Sequence, residues 1–190
     1  MLHQNDRYKK ISEQELAEYC VAGDRLAKDE LCRRYAAMVF TVCRRYTGNA
    51  DDAADMMQET IITALNKIAS YKGKGSLGGW IRKIAINTTL NQLKRQRWQT
   101  ISFDALFNDT IPDPSEHDID LIPQEKLLEW ISKLPDIRKV VFNMYCIDGY
   151  SHKKIGEMLG ISEKGSASML AKARKQLKEE INNYLKEKEL

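Results

Sequence analysis

Apolar residues recur every three or four positions along most of this chain, and that spacing leaves one kind of regular structure open to it. Leu31, Tyr35, Met38, Val42 and Tyr46 form one such stripe. Met57, Ile61, Ala64, Leu65 and Ile68 form a second, and Leu77, Ile81, Ile84, Ala85 and Thr88 a third. A repeat near 3.6 residues gathers these side chains on one side of a helix, whereas a half-buried strand needs strict alternation, and no convincing period-two run occurs. Gly48-Asn49 separates the first stripe from the second, and the stretch from Lys72 to Gly79 separates the second from the third. Residues 10–98 therefore read as a helical bundle.

The texture then changes. Residues 99–123 hold three of the four prolines (Pro112, Pro114 and Pro123) together with a run of acids. Such a segment cannot bury enough apolar surface to fold by itself and is expected to be an acidic, flexible linker, with Ile101, Phe103, Leu106 and Phe107 available for docking. Helical periodicity resumes at Leu127, Ile131 and Leu134. Pro135 suits the first turn of a further helix, with Val140, Val141, Met144 and Tyr145 as its apolar residues. A short helix over Lys153–Leu159 and a long one from Glu163 to Lys186 complete an all-α chain of two helical domains, 10–98 and 124–188.

Charge is distributed unevenly. The formal net charge is only +3, but from Thr60 to Phe103 there is no Asp or Glu, while Lys67, Lys72, Lys74, Arg82, Lys83, Lys94, Arg95 and Arg97 all fall there. From Trp98 to Glu125 the pattern inverts, with seven acids and no Lys or Arg. A basic block beside an acidic one suggests a polyanion-binding surface next to an acidic segment. Cys20, Cys32, Cys43 and Cys146 show no CxxC spacing and the three histidines are scattered, so neither a metal site nor a cofactor is expected. The polar stretch from Met1 to Lys10 lacks the apolar core of a signal peptide, and the longest apolar run, Tyr35 to Cys43, is far short of a membrane span. These features point to a cytoplasmic protein with reduced thiols and no membrane insertion of its own.

Tyr150-Ser-His-Lys-Lys-Ile-Gly-Glu-Met-Leu-Gly-Ile-Ser162 has the layout of a helix-turn-helix. Ser151 can cap the first helix and Ser162 the second. Gly156 is small where the helices must approach, and Gly160 is placed for the left-handed residue of the turn. On the second helix Ser166, Leu170, Ala173, Leu177, Ile181 and Tyr184 step toward the core, and Lys164, Ser168, Ala171, Lys172 and Lys175 lie on the other side. Small and basic residues at a helix N-terminus suit a DNA major groove. A helical hairpin with a solvated basic face accounts for the same pattern.

In the first domain, Lys83, Asn87, Asn91 and Lys94 form a polar stripe on the Leu77–Trp98 helix, with Arg95 beside it. The preceding loop, Tyr71-Lys-Gly-Lys-Gly-Ser76, is basic and rich in backbone N–H groups, features that can grip single-stranded nucleic acid and enclose a flipped base. Tyr71 and Trp80 can stack on bases or serve as core residues. Upstream, Asp51 and Asp52 oppose the dipole at a helix N-terminus. Asp55, Gln58 and Glu59 lie further along, on a face spaced for a protein partner.

The chain resembles the extracytoplasmic-function (ECF) sigma factors of the sigma-70 family. The likeness to their sigma-2 domain is carried by Tyr35, by GNADDAADMMQETIITAL (48–65) and by YKGKGSLGGWIRKIAINTTLNQLKRQR (71–97). The likeness to their sigma-4 domain is carried by KLPDIRKVVFNMYCIDGYSHKKIGEMLGISEKGSASMLAKARKQL (133–177). The resemblance implies an RNA polymerase specificity subunit that performs no catalysis. Asp51, Asp55, Gln58 and Glu59 would meet the core enzyme, the last three at the clamp helices of its largest subunit. The loop of Tyr71, Lys72, Lys74 and Ser76, with Trp80, would hold an unpaired base of the −10 element, and Lys83, Asn87, Asn91, Lys94 and Arg95 would contact the −10 region. Lys164, Ser166, Ser168, Lys172 and Lys175 would face the −35 element, and the linker would thread toward the active-site and RNA-exit channels. Members of the family are often held inactive by an anti-sigma factor, which adds a candidate partner masking the same surfaces. Two departures stand out: Leu77-Gly78-Gly79 before the tryptophan, expected to loosen the loop or the helix packing, and Lys164-Gly-Ser-Ala-Ser168, where Gly165 costs about 1 kcal/mol of helix propensity relative to Ala.

Two other classes compete. A polymerase-independent helix-turn-helix regulator accounts for residues 124–188 and leaves the first domain without a role. An enzyme acting on DNA lacks a nucleophile–base pair; Gly73-Lys-Gly-Ser76 lacks P-loop spacing, and nothing completes a metal site around Asp51 and Asp55.

Overall fold

Every regular element is helical among the residues that the computed structural model describes, 8–97 and 122–188. They fall into two compact units, one on each side of residues 98–121. The acidic run from Asp104 to Asp120 thus lies outside the described residues.

The first unit begins with α1 (Glu13–Val21), started by a reciprocal cap: the Glu15 amide donates to Ser12 Oγ and the Ser12 amide to Glu15 Oε2. Helix α2 (Arg25–Thr47) starts at Asp24, whose Oδ1 accepts from the Ala27 amide, and stops at Gly48 in the left-handed conformation. Helix α3 (Ala50–Lys67) starts at Asn49, whose side chain accepts from the Asp52 amide. A 3-10 turn (Ile68–Ser70) and a loop lead to α4 (Leu77–Arg97). Helices α2, α3 and α4 pack mutually, and α1 lies against α2. Leu31, Val39, Cys43, Tyr46, Leu77, Ile81 and Ala85 fill the interior. Glu30, almost wholly buried, receives Arg33 and Arg34, and Arg34 also donates to the Tyr8 and Ile11 carbonyls, so a buried charge is paired and ties residues 8–11 to α2.

The buried faces of α3 and α4 differ from the stripes read in the sequence. On α3 the inward positions are Ala53, Met56, Thr60 and Ala64; Met57, Ile61 and Leu65 are half-buried and Ile62 is exposed. On α4 Ile86, Thr89, Leu90 and Leu93 join Leu77, Ile81 and Ala85, leaving Ile84 and Thr88 half-buried. On α3 the inward face is made largely of small side chains, Ala53, Thr60 and Ala64, whereas on α4 the large apolar face is wider than the stripe.

In the second unit α5 (Gln124–Lys133), α6 (Asp136–Phe142), α7 (His152–Leu159) and α8 (Glu163–Lys188) pack together, with α6 and α7 each against α8. Trp130 and Leu134, from α5 and its end, meet Ala173, Leu177 and Ile181 of α8 in one core cluster, with Tyr184 edge-on to Trp130 at 5.6 Å. Ile122, expected in the linker, is buried in the same cluster, so this unit begins before residue 124. A π-helical turn, Asn143–Ile147, follows α6. It carries Tyr145 outward rather than into the core, and the Tyr145 ring stacks on His152 at 4.3 Å.

Candidate nucleic-acid interface

Local capping builds the helix-turn-helix in the second unit. Ser151 Oγ accepts from the Lys154 amide at 3.2 Å, fixing the start of α7. Gly160 closes α7 at φ +75° and its amide donates to the Gly156 carbonyl. Ser162 Oγ accepts from the Gly165 amide at 2.9 Å, fixing the start of α8. These are the roles the sequence assigns to Ser151, Gly160 and Ser162. On α8 Lys164 and Lys175 are exposed and Ser168 and Lys172 half-exposed, all away from the packed face. Ser166 follows the inward stripe and departs from the −35 face that the resemblance implies: it is fully buried, and its Oγ lies 2.9 Å from His152 Nδ1, so it joins α8 to α7.

One side-chain bond spans the glycine loop of the first unit. Gly73 and Gly75 take left-handed conformations, and the Tyr71 hydroxyl donates to the Gly75 carbonyl at 2.7 Å. Lys72, Lys74 and Ser76 are exposed. Ser76 Oγ accepts from the Gly79 amide at 3.0 Å, so that side chain caps α4. Trp80 is half-buried and packs against Tyr71 at the loop base, with ring centroids 5.7 Å apart and the ring planes tilted by 50°.

The Leu77-Gly78-Gly79 departure tightens this corner. A side-chain carbon on Gly78 would meet the Tyr35 ring at 3.2 Å, and one on Gly79 would meet Ser76 Oγ at 2.9 Å. The glycines allow α4 to begin hard against α2 and allow Ser76 to cap it. The residue that anchors the corner is Glu13, which local sequence patterns do not reveal. Its Oε1 accepts from the Tyr35 hydroxyl at 2.8 Å and its Oε2 from the Leu77 amide at 2.7 Å, across 64 positions of chain. Burial pushes the Glu13 carboxyl upward, but the bonds from Tyr35 and Leu77, with the Gly78 backbone and the Arg34 charge, outweigh it and hold the group below the usual glutamate range.

Along α4, Lys83, Asn87, Asn91 and Arg95 are exposed and Lys94 half-exposed. Along α3, Asp51, Asp55, Gln58 and Glu59 are exposed. The sequence treats these as two separate surfaces. They meet in a groove of about 550 Å³, walled on one side by Asp55, Glu59 and Thr63 and on the other by Asn87, Asn91 and Arg95. Among the described residues no three His, Cys, Asp or Glu side chains cluster to hold a metal ion, and no helix is long and apolar enough to cross a membrane.

Residues 31–99 match the family described as Sigma-70 region 2, and residues 124–177 match Sigma-70, region 4. The chain is 29% identical over 182 residues to the ECF RNA polymerase sigma factor SigE of Mycolicibacterium smegmatis, covering 90% of this chain and 69% of that one. It belongs to the ECF sigma factors of the sigma-70 family. The ECF RNA polymerase sigma-E factor of Haemophilus influenzae is 27% identical, covering 91% of this chain and 97% of its own. Among solved structures, the sigma factor RpoE of Bartonella quintana, in complex with the anti-sigma factor NepR, has the same fold, with a TM-score of 0.51 at 15% identity, covering 81% of this chain and 96% of that one. Region 2 thus spans the groove and the glycine loop, and region 4 spans the helix-turn-helix.

Proposed function

We propose that this ECF sigma factor directs promoter-specific initiation by docking on core RNA polymerase and presenting two DNA-reading surfaces, one in each unit. The observation that carries the reading is the pairing of a capped helix-turn-helix in the second unit with a first unit that bears a basic glycine loop and the groove of Asp55, Glu59, Asn87, Asn91 and Arg95. A stand-alone regulator needs only the former.

In this reading residues 10–98 act as the sigma-2 domain, the acidic stretch after them as the linker, and the second unit, from the buried Ile122 to residue 188, as the sigma-4 domain. Asp51, Asp55, Gln58 and Glu59 meet the polymerase. Tyr71, Lys72 and Lys74 surround an unpaired −10 base, with Trp80 packed against Tyr71. Lys83, Asn87, Asn91, Lys94 and Arg95 contact the adjoining −10 DNA, and Lys164, Ser168, Lys172 and Lys175 face the −35 element. The acidic wall of the groove repels phosphate, so the DNA backbone is expected along Lys83 and the loop lysines, outside the groove. Binding strand-separated −10 DNA better than duplex draws the promoter open, and no bond is made or broken by the protein itself. The site of action is the cytoplasm, where the polymerase is. An anti-sigma factor, as in the Bartonella complex, would act by covering these surfaces.

Transcription in vitro with purified bacterial core polymerase, a genomic fragment library and this protein tests the reading. Discrete starts that share a two-part upstream motif are expected. Folded protein and a matched core that yield no new starts would return the assignment to a polymerase-independent regulator.

A further inference from the structure

We infer that Glu13 is a positioning residue for the −10 loop, an inference that rests on the reading of that loop as the holder of an unpaired base. The loop ends where α4 begins, and Glu13 fixes that point from another helix. Its Oε2 accepts from the Leu77 amide at 2.7 Å, and the Gly78 backbone beside it further favours the charged carboxylate. The Leu77 amide is a first-turn N–H group that no intrahelical carbonyl can satisfy, and a carboxylate is the partner the helix dipole favours there. Oε1 is held in turn by the Tyr35 hydroxyl at 2.8 Å, from the buried face of α2. The carboxylate therefore links α1, α2 and α4 at one corner. Its neighbour Gln14 reaches the other side of the loop, where a side-chain carbon on Gly73 would lie 2.5 Å from Gln14 Oε1.

The loop itself closes through one side-chain bond, from Tyr71 to the Gly75 carbonyl, and Ser76 spends its hydroxyl on the Gly79 amide. With few bonds of its own, its orientation is set from outside, and the charge-assisted bonds to Glu13 are the strong ones at this corner. There is a second consequence. The α4 N-terminus already holds an anion, so a DNA phosphate finds its cations at Lys72 and Lys74 and not at the helix end.

The test uses holoenzyme assembled with the full chain and a promoter fragment recovered by the transcription experiment, carrying a pre-melted −10 region. Each unpaired non-template position in turn holds its natural base or an abasic site. Wild-type holoenzyme is expected to prefer the base at one position. Glu13→Ala is expected to lose most of that preference, on the order of tenfold, while core affinity and helicity stay as in wild type. Glu13→Gln keeps acceptor and donor but not the charge and is expected to fall between the two. A preference undiminished in Glu13→Ala overturns the role of Glu13 and leaves the loop reading standing. No preference at any position in wild type overturns the loop reading, and the inference with it. If Glu13→Ala impairs core binding, Glu13→Gln and Tyr35→Phe decide the matter, and wild-type preference in both overturns the inference. The ratio of base to abasic binding isolates positioning, since a general loss of stability weakens both probes equally.

Discussion

A side-chain carbon on Gly156 would lie 2.7 Å from the carbonyl oxygen of Ile161. The backbone on the far side of the turn cannot retreat cheaply, because the Ile161 amide donates to the Gly156 carbonyl at 3.1 Å. Alanine at this position gains about 1 kcal/mol of helix propensity, but overpacking against fixed backbone costs typically about 1–3 kcal/mol. Gly156→Ala is therefore expected to destabilise the second unit and to weaken −35 binding. Equal or higher stability in denaturant titration would mean that the turn relaxes freely.

His152 ties α7 to α8 through Ser166 and carries the Tyr145 ring on its face. Burial lowers its pKa below the usual histidine value, and Arg174 lowers it further, while Glu163 opposes them. The unfolded chain therefore takes up the proton first. The contribution of the neutral side chain is complete above the unfolded pKa, near 6.5, and declines as pH falls toward the lowered folded value. Chemical denaturation from pH 8 to pH 5 should show this decline in wild type and a smaller one in His152→Gln. Parallel curves for the two would remove His152 from the account.

How far the sequence reveals the fold depends on how local each signal is. Ser151, Gly160 and Ser162 are legible because a cap acts within three or four residues. The inward face of α3 is harder to read, because periodicity registers large apolar side chains, whereas Ala53, Thr60 and Ala64 do the close packing. Ser166 falls on both the inward stripe and the DNA face in the sequence, and burial settles it inward. Glu13 has no local signature, since its bond to Leu77 spans 64 positions and arises only when α1 and α4 meet. The groove joining Asp55 to Asn91 is likewise a product of helix packing.

Asp55 and Glu59 are exposed, one turn apart on α3, and belong to the same groove wall. Neither is needed to start the helix, where Asn49 provides the cap and Asp51 and Asp52 occupy the first turn. Asp55→Ala with Glu59→Ala should therefore reduce core-polymerase affinity and leave helicity intact. Desolvated charges at an interface lose about 2–5 kcal/mol when truncated and rim charges far less, so the drop also shows how deeply the wall is covered. Core affinity at the wild-type level, by competition binding, would sink the docking assignment.

Lys83 and Lys94 belong to the polar side of α4, Lys83 exposed and Lys94 half-exposed. If both neutralise phosphates, their removal releases fewer counterions on binding. Each phosphate left without its lysine flattens the slope of log affinity against log salt, by about 0.7 on a single strand and about 0.9 on duplex. Lys83→Ala with Lys94→Ala should thus reduce the slope for open-complex formation by about 1.4–1.8 and weaken binding most at low salt. Reduced affinity with an unchanged slope would mean that these lysines act through the fold and not on phosphate. An unchanged slope with unchanged affinity would place the DNA elsewhere, leaving Lys72 and Lys74 of the loop as the next cations to test.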